Sequence, residues 1–271
     1  MIRRDVHLPG QPPGWLLIPQ QAHALLAGRL ARAWRFEPEF SPPVWADLIA
    51  ASDHHDDGWP PWDDWPAVDS FAGRPRSFNE MPIRQTLAIW PASIAVARRL
   101  GPLVGWLVAG HFRALLLRSG ALLDASRLEK SLVEAFLDQC ERDMTAWLGQ
   151  WLATADRGQR DARQAQHALT ALQTFDWASL WLCCHDCPPP TVLEMPMQAP
   201  VNAACVSSGI IELDPWPLAV PQLALSTSGR LVAAHRYADD ADFAAAPARP
   251  YELCWALRPR QASGAVGQSA G

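Results

Sequence analysis

Ile18-Pro19-Gln20-Gln21-Ala22-His23-Ala24-Leu25-Leu26-Ala27-Gly28-Arg29-Leu30-Ala31-Arg32-Ala33-Trp34-Arg35-Phe36 sets the fold class. Ala22, Leu25, Leu26, Leu30, Ala33 and Trp34 recur at helical spacing, while Arg29, Arg32 and Arg35 fall mainly on other faces. The same reading extends outward. Ser41-Pro42-Pro43 opens a second helix, with Ser41 placed to cap it and proline tolerated in the first turn; Gly58 and Pro60-Pro61 stop it. Pro82 to Leu100 reads as a helix broken near Pro91, and Pro102 to Arg118 as an apolar helix carrying His111. Ser126 and Glu129 form a capping box for a long amphipathic helix reaching about Leu152. A polar turn at Arg157 to Asp161 precedes a last helix, Arg163 to Cys184. The expectation is a mainly α protein.

Past Pro188-Pro189-Pro190 the pattern shortens. β-prone runs appear at Thr191–Met195, Gly209–Leu213, Leu223–Ser226, Leu231–His235 and Glu252–Leu257, with Ser228-Gly229 read as a turn. These predict a small antiparallel sheet packed on the helices. The expected organisation is a helical domain over 1–187, a β-rich appendage over 188–260 and a disordered tail over 261–271. Trp59 to Asn79 is rich in proline but also in tryptophan, which predicts an ordered loop rather than a linker.

A net charge of −5 gives no basic excess for a phosphate backbone, so no nucleic-acid polymer is expected as partner. The start of the chain shows no signal peptide, and Pro102–Leu117 is too short and too interrupted for a membrane span, so a cytoplasmic location is expected. The six cysteines do not resemble a secreted disulfide framework. Cys184-His185-Asp186-Cys187, with Cys183, contains the spacing of a soft-metal site but lacks a matching second pair, so free thiols are expected there.

The chemistry concentrates at Asp53-His54-His55-Asp56-Asp57-Gly58-Trp59, where five ionisable side chains sit at the end of the second helix. A histidine followed by an aspartate offers a neutral nitrogen and an anionic oxygen, which suits Fe, Mn, Zn or Mg. Asp53 and His54 are expected to face outward. His23, His111 and Asp176 each lie on another helix, in or beside an apolar face. Asp176, among Phe175, Trp177, Leu180 and Trp181, would be costly to bury without a cation or a histidine. Plainer readings stand beside these: His23 exposed, His111 a hydrogen-bonded core histidine, Asp176 paired with an arginine.

The order His23, His55-Asp56, Asp176 resembles the H…HD…D order of the HD-domain metal-dependent phosphohydrolases. More narrowly, Gln21-Ala22-His23-Ala24 with Gly28, His55-Asp56-Asp57-Gly58-Trp59 with Trp62-Asp63 and Pro66, Gly110-His111, and Phe175-Asp176-Trp177 with Ser179-Leu180 resemble an uncharacterised bacterial family similar to HD domains, over about residues 1–258. The resemblance implies an HD-domain-like helical bundle with the small C-terminal antiparallel sheet. It implies His23, His55, Asp56 and Asp176 as ligands of a divalent metal ion, and His111 as a further ligand or a contact to substrate phosphate. The second histidine pair of many HD enzymes has no counterpart; His167 lies on a polar stretch.

The implied activity is hydrolysis of a small phosphoester or nucleotide, with a non-catalytic binding module or an iron-dependent oxygenase as alternatives. Asp56 would orient the water. Asp57 and Asp63 are the candidate acids for the leaving group. Trp59, Trp62 and Trp65 would stack on a flat group or roof the bundle, and Arg74, Arg76 and Arg84 would meet phosphate or serve solubility.

Overall fold

In the computed structural model, which describes residues 1–35, 40–119, 126–154 and 161–261, the long helices fall where the spacing predicts them. The expected helix end at Phe36, most of the polar turn before Asp161 and the tail beyond 261 lie outside the described residues. The chain starts with strands β1 (Ile2–Val6) and β2 (Gly14–Ile18), followed by α1 (Gln20–Ala33), α2 (Pro42–His54) and the short α3 (Pro60–Asp64). A small ladder of β3 (Val68–Asp69) with β4 (Arg74–Pro75) and a 3-10 turn at Phe78–Glu80 lead into α4 (Ile83–Leu100). Then come α5 (Pro102–Arg118), α6 (Arg127–Ala153) and α7 (Ala162–Cys184). The remainder is β5 (Thr191–Leu193), β6 (Val201–Ser207), β7 (Ile210–Asp214), β8 (Leu223–Ala233), α8 (Asp240–Ala244) and β9 (Ala248–Pro259).

The expected fold class, a mainly α HD-like bundle with a small C-terminal antiparallel sheet, is incorrect. The protein is about 51% helix and 22% strand, and its strands form one large, curled, half-barrel sheet. The sheet has seven strands in the order β1-β2-β8-β9-β7-β6-β5. Its pairs are antiparallel except β7 with β9, which is parallel.

The strands without an expected counterpart are β1, β2 and β6, and β8 is one long strand where two short runs were expected. β1 has no apolar alternation because its arginines are held by partners: Arg3 Nη1 lies 2.7 Å from Glu80 Oε2, and Arg4 Nη2 lies 2.5 Å from Asp186 Oδ1. β2 had no expected counterpart beyond its last residue, Ile18, which was placed in a first helix that begins only after Pro19. Ser228-Gly229 is not a turn but the middle of β8. A Cβ at Gly229 would come within 2.8 Å of Leu17 O, so the glycine marks close backbone approach by β2.

The Ser126–Glu129 box caps α6 reciprocally, with Glu129 N–H donating to Ser126 Oγ at 3.3 Å and Ser126 N–H to Glu129 Oε2 at 2.9 Å. α4 runs unbroken through Pro91. Burial of Ile89, Trp90, Ser93 and Ile94 on its inner face outweighs the lost hydrogen bond and the proline clash, which together cost about 3 kcal/mol. Residues 59–79 are ordered as expected, though they carry α3 and the β3–β4 ladder rather than loop alone.

One apolar core joins helices to sheet: Leu26 and Leu30 of α1, Leu107 of α5 and Phe175 of α7 share it with Leu16 of β2, Leu231 of β8 and Trp255 of β9. α1 packs on α2, α7 and β8, while α5 packs on α2 and α7. The helices that carry the histidines and Asp176 are thus neighbours. No helix among the described residues is long and apolar enough to cross a membrane.

Candidate metal centre

His23 sits in the first turn of α1, His111 in the middle of α5 and Asp176 within α7. His55 closes α2, and Asp56 stands in the turn just after it rather than in the last helical turn. That turn can press against α4 because residue 58 has no side chain. Gly58 N–H donates to Ser93 Oγ at 2.9 Å, and a Cβ there would lie 2.5 Å from Ile89 O. The approach directs Asp56 inward. All five groups are buried, with His55 at 0% and Asp176 at 6% exposure.

The five converge. His23 Nε2 is 2.8 Å from Asp56 Oδ2. His55 Nε2 is 3.2 Å from Asp176 Oδ1 and 3.6 Å from Asp56 Oδ2. His111 Nε2 is 3.7 Å from Asp176 Oδ2. Two overlapping sets have donor atoms within 4.8 Å of one another: His23, His55 and Asp56, and His55, His111 and Asp176. His55 belongs to both.

The other ring nitrogens decide what this arrangement suits. His55 Nδ1 is 2.9 Å from the Ser52 carbonyl oxygen, an acceptor only, so it carries a proton. His23 Nδ1 is 2.9 Å from Ser179 Oγ, whose hydroxyl donates to Asp176 O at 2.9 Å, so His23 Nδ1 is also the donor. Without a second proton, His23 and His55 would therefore turn Nε2 lone pairs toward carboxylate oxygens. Such an array is repulsive unless a proton or a cation lies between, and histidines fixed through Nδ1 in this way are a common feature of metal sites.

The electrostatics agree. Burial opposes ionisation of His55, but Asp56, together with the hydrogen bond and charge of Asp176, raises its pKa to about 9. Burial likewise works against Asp176, yet His111 and His55 hold its carboxyl well below the usual range. Asp56 is lowered against burial by His55 and His23. Burial pushes His111 down to about 4, so it is neutral. A proton on His55 thus offsets part of the carboxylate charge at a point where a cation could replace it.

Over the range that contains these elements, residues 1–234, the chain matches a protein family described as of unknown function, DUF3891. The chain belongs to that family. The match takes in β1, β2 and every segment that contributes a donor atom, and it ends at the close of β8. The chain matches no curated protein and no solved structure.

In this DUF3891 protein the donor cluster borders a cavity of about 560 Å³, which His55 itself does not line. His23, Asp56, His111 and Asp176 lie at its polar end, and Trp59 is in its wall. The other predicted site residues lie elsewhere. Asp57 is tied to Gln21 Nε2 at 2.9 Å and to His54 Nδ1 at 2.7 Å. Asp63 accepts the Gln20 N–H at 2.7 Å. Trp62 is half-buried against the core, and Trp65 is 76% exposed. None of Asp57, Trp62, Trp65 and Asp63 is among the described lining residues, nor are Arg74, Arg76 and Arg84. Arg74 pairs with Glu80 at 2.7 Å and Arg76 with Asp69 at 3.7 Å. Asp53, expected outside, is buried and paired with Arg32, and His54 is half-buried.

Several wall residues were not legible as such: Gln20, Phe78, Met81, Ile83, Trp90, Phe112 and Arg118. Only the position of Gln20, one turn before His23, offered a signal. Cys187 bonds to Cys205, which removes it from any C-x-x-C metal site, while Cys183 and Cys184 are free.

Proposed function

We propose that this protein is a metal-dependent hydrolase of a small phosphoester. The observation that carries the reading is the pair of buried carboxylates, Asp56 and Asp176, meeting the Nε2 atoms of His23, His55 and His111 beside a cavity that both carboxylates line. His23, His55, Asp56 and Asp176 would hold the cation, in an order that resembles the HD phosphohydrolases. His111, neutral and beside Asp176, would be a further ligand or donate to a phosphoryl oxygen. A bound divalent cation such as Mn, Fe, Mg or Zn would supply Lewis acidity, lowering the pKa of a water and polarising a phosphoryl oxygen.

The residues of the chain do the rest. Asp56, lining the cavity and ionised, can orient the attacking water and accept its proton. Trp59 and the apolar wall exclude bulk water. Asp57 fixes the turn through Gln21 and His54, a positioning role.

Phosphate release from a panel of phosphomonoesters tests this, with Mn, Fe(II) or Mg supplied. Turnover by the wild type that falls by about 1000-fold or more in Asp56→Asn, with an unchanged circular dichroism spectrum, is the expected result. Equal activity in the variant, or none in the wild type with any metal, contradicts the proposal.

A further inference from the structure

We infer that the cavity selects phosphate esters of apolar, preferentially aromatic alcohols rather than nucleotides or polyol phosphates. The inference rests on the hydrolase reading for its reacting group and on the cavity wall for its specificity.

Above the donor cluster the wall is mainly apolar, with Gln20, Asn79, Thr86 and Ser119 as its neutral polar members. Phe78, Met81, Ile83, Leu115 and Leu180 line it, and Trp90 stacks on Phe112 with centroids 5.0 Å apart and planes 16° apart. These two rings make an aromatic slab suited to a flat ring. Arg118 is the one cationic side chain among the described lining residues. A nucleoside polyphosphate would need more positive charge than the one guanidinium of this wall supplies. At about 560 Å³ the space is of ordinary size for a small-molecule pocket.

The chemistry favours the same class. The carboxylates lining the cavity, Asp56 and Asp176, are the ones assigned to the cation, and no further carboxyl group lines it among the described residues. An alkoxide leaving group would need a proton donor there. An aryl oxide, with a conjugate acid near the ordinary tyrosine pKa of about 10, leaves without one. In that step water oxygen bonds to phosphorus, the bond from phosphorus to the aryl oxygen breaks, and its electron pair stays on that oxygen. The aryl oxide is then protonated by solvent, and Asp56 takes the proton released by the attacking water.

The test compares metal-supplied protein on 1-naphthyl phosphate, glycerol phosphate and adenosine monophosphate, and measures 1-naphthol binding by calorimetry. The expected result is kcat/KM for the naphthyl ester at least about 100-fold above the other two, from burial of its ring. Ile83→Glu, with Met81→Gln as a second variant should the first misfold, weakens 1-naphthol binding by about 10-fold or more. Equal or better turnover of glycerol phosphate or adenosine monophosphate overturns the inference and leaves the hydrolase reading standing. If no ester is hydrolysed, the hydrolase reading falls and 1-naphthol binding decides alone. Binding weakened by the wall variant upholds an apolar-ligand cavity, and absence of binding overturns it.

Discussion

His23 Nε2 lies 2.8 Å from Asp56 Oδ2, and the two residues come from helix α1 and from the turn that follows α2. Because the other nitrogen of His23 donates to Ser179, this short contact joins a lone pair to an anion unless a positive charge intervenes. The cluster is therefore organised around a cation or a proton rather than around its own hydrogen bonds.

Ser179 is the part of that arrangement most easily isolated. It lies outside the donor set but fixes the tautomer and ring angle of His23. Ser179→Ala should weaken divalent metal binding by roughly 10- to 100-fold while leaving the helical spectrum intact. Calorimetric titration with Mn reads the change. An unaltered affinity would show that His23 is not oriented through Ser179.

Gly28 allows α1 and α2 to approach. A Cβ at this position would lie 1.8 Å from Asp53 Oδ1, the oxygen that accepts from Arg32 Nη1 at 2.9 Å. Gly28→Ala should destabilise the fold by about 1–3 kcal/mol through overpacking, despite the better helix propensity of alanine. Chemical denaturation checks this. A gain in stability would mean that the Asp53 side chain moves aside without cost.

Glu80 couples β1 to the segment that roofs the cavity. The Arg3 hydrogen bonds, opposed by burial and aided by Ser77 N–H and Arg74, lower its pKa to about 2. A carboxylate with a depressed folded-state pKa stabilises the protein above its ordinary value of 4.5. That contribution is lost as pH falls from 4.5 toward about 2. Glu80→Gln should lower Tm at pH 7, and the gap to wild type should close across that acid window. A gap that stays constant with pH would remove Glu80 from the account.

The residues that carry chemistry were more legible than the architecture around them. His23, His111 and Asp176 stood out because a polar group on an apolar helical face needs a partner, and His55-Asp56 because two donors adjoin at a helix end. The structure brings all five together. The sheet was hidden for physical reasons. Arg3 and Arg4 are buried or half-buried in β1 through ion pairs to residues far along the chain, Glu80 and Asp186, which no local pattern announces. Gly229 looks like a turn locally and becomes a strand residue only because β2 passes close by. The cavity wall was unreadable for a similar reason: Phe78, Ile83 and Phe112 are ordinary apolar residues until tertiary packing sets them around one space. Pro91 shows the reverse, a local breaker overruled by burial of its helix.

The central claim is that His23, His55, Asp56 and Asp176 hold a divalent cation. Metal analysis of the purified wild-type protein after incubation with Mn, Fe(II), Mg or Zn and removal of excess tests it directly. The account predicts about one bound ion per chain or more, abolished when Asp56 and Asp176 are both replaced by asparagine. Less than about 0.2 ion per chain with every metal, or full occupancy in the double variant, would contradict it.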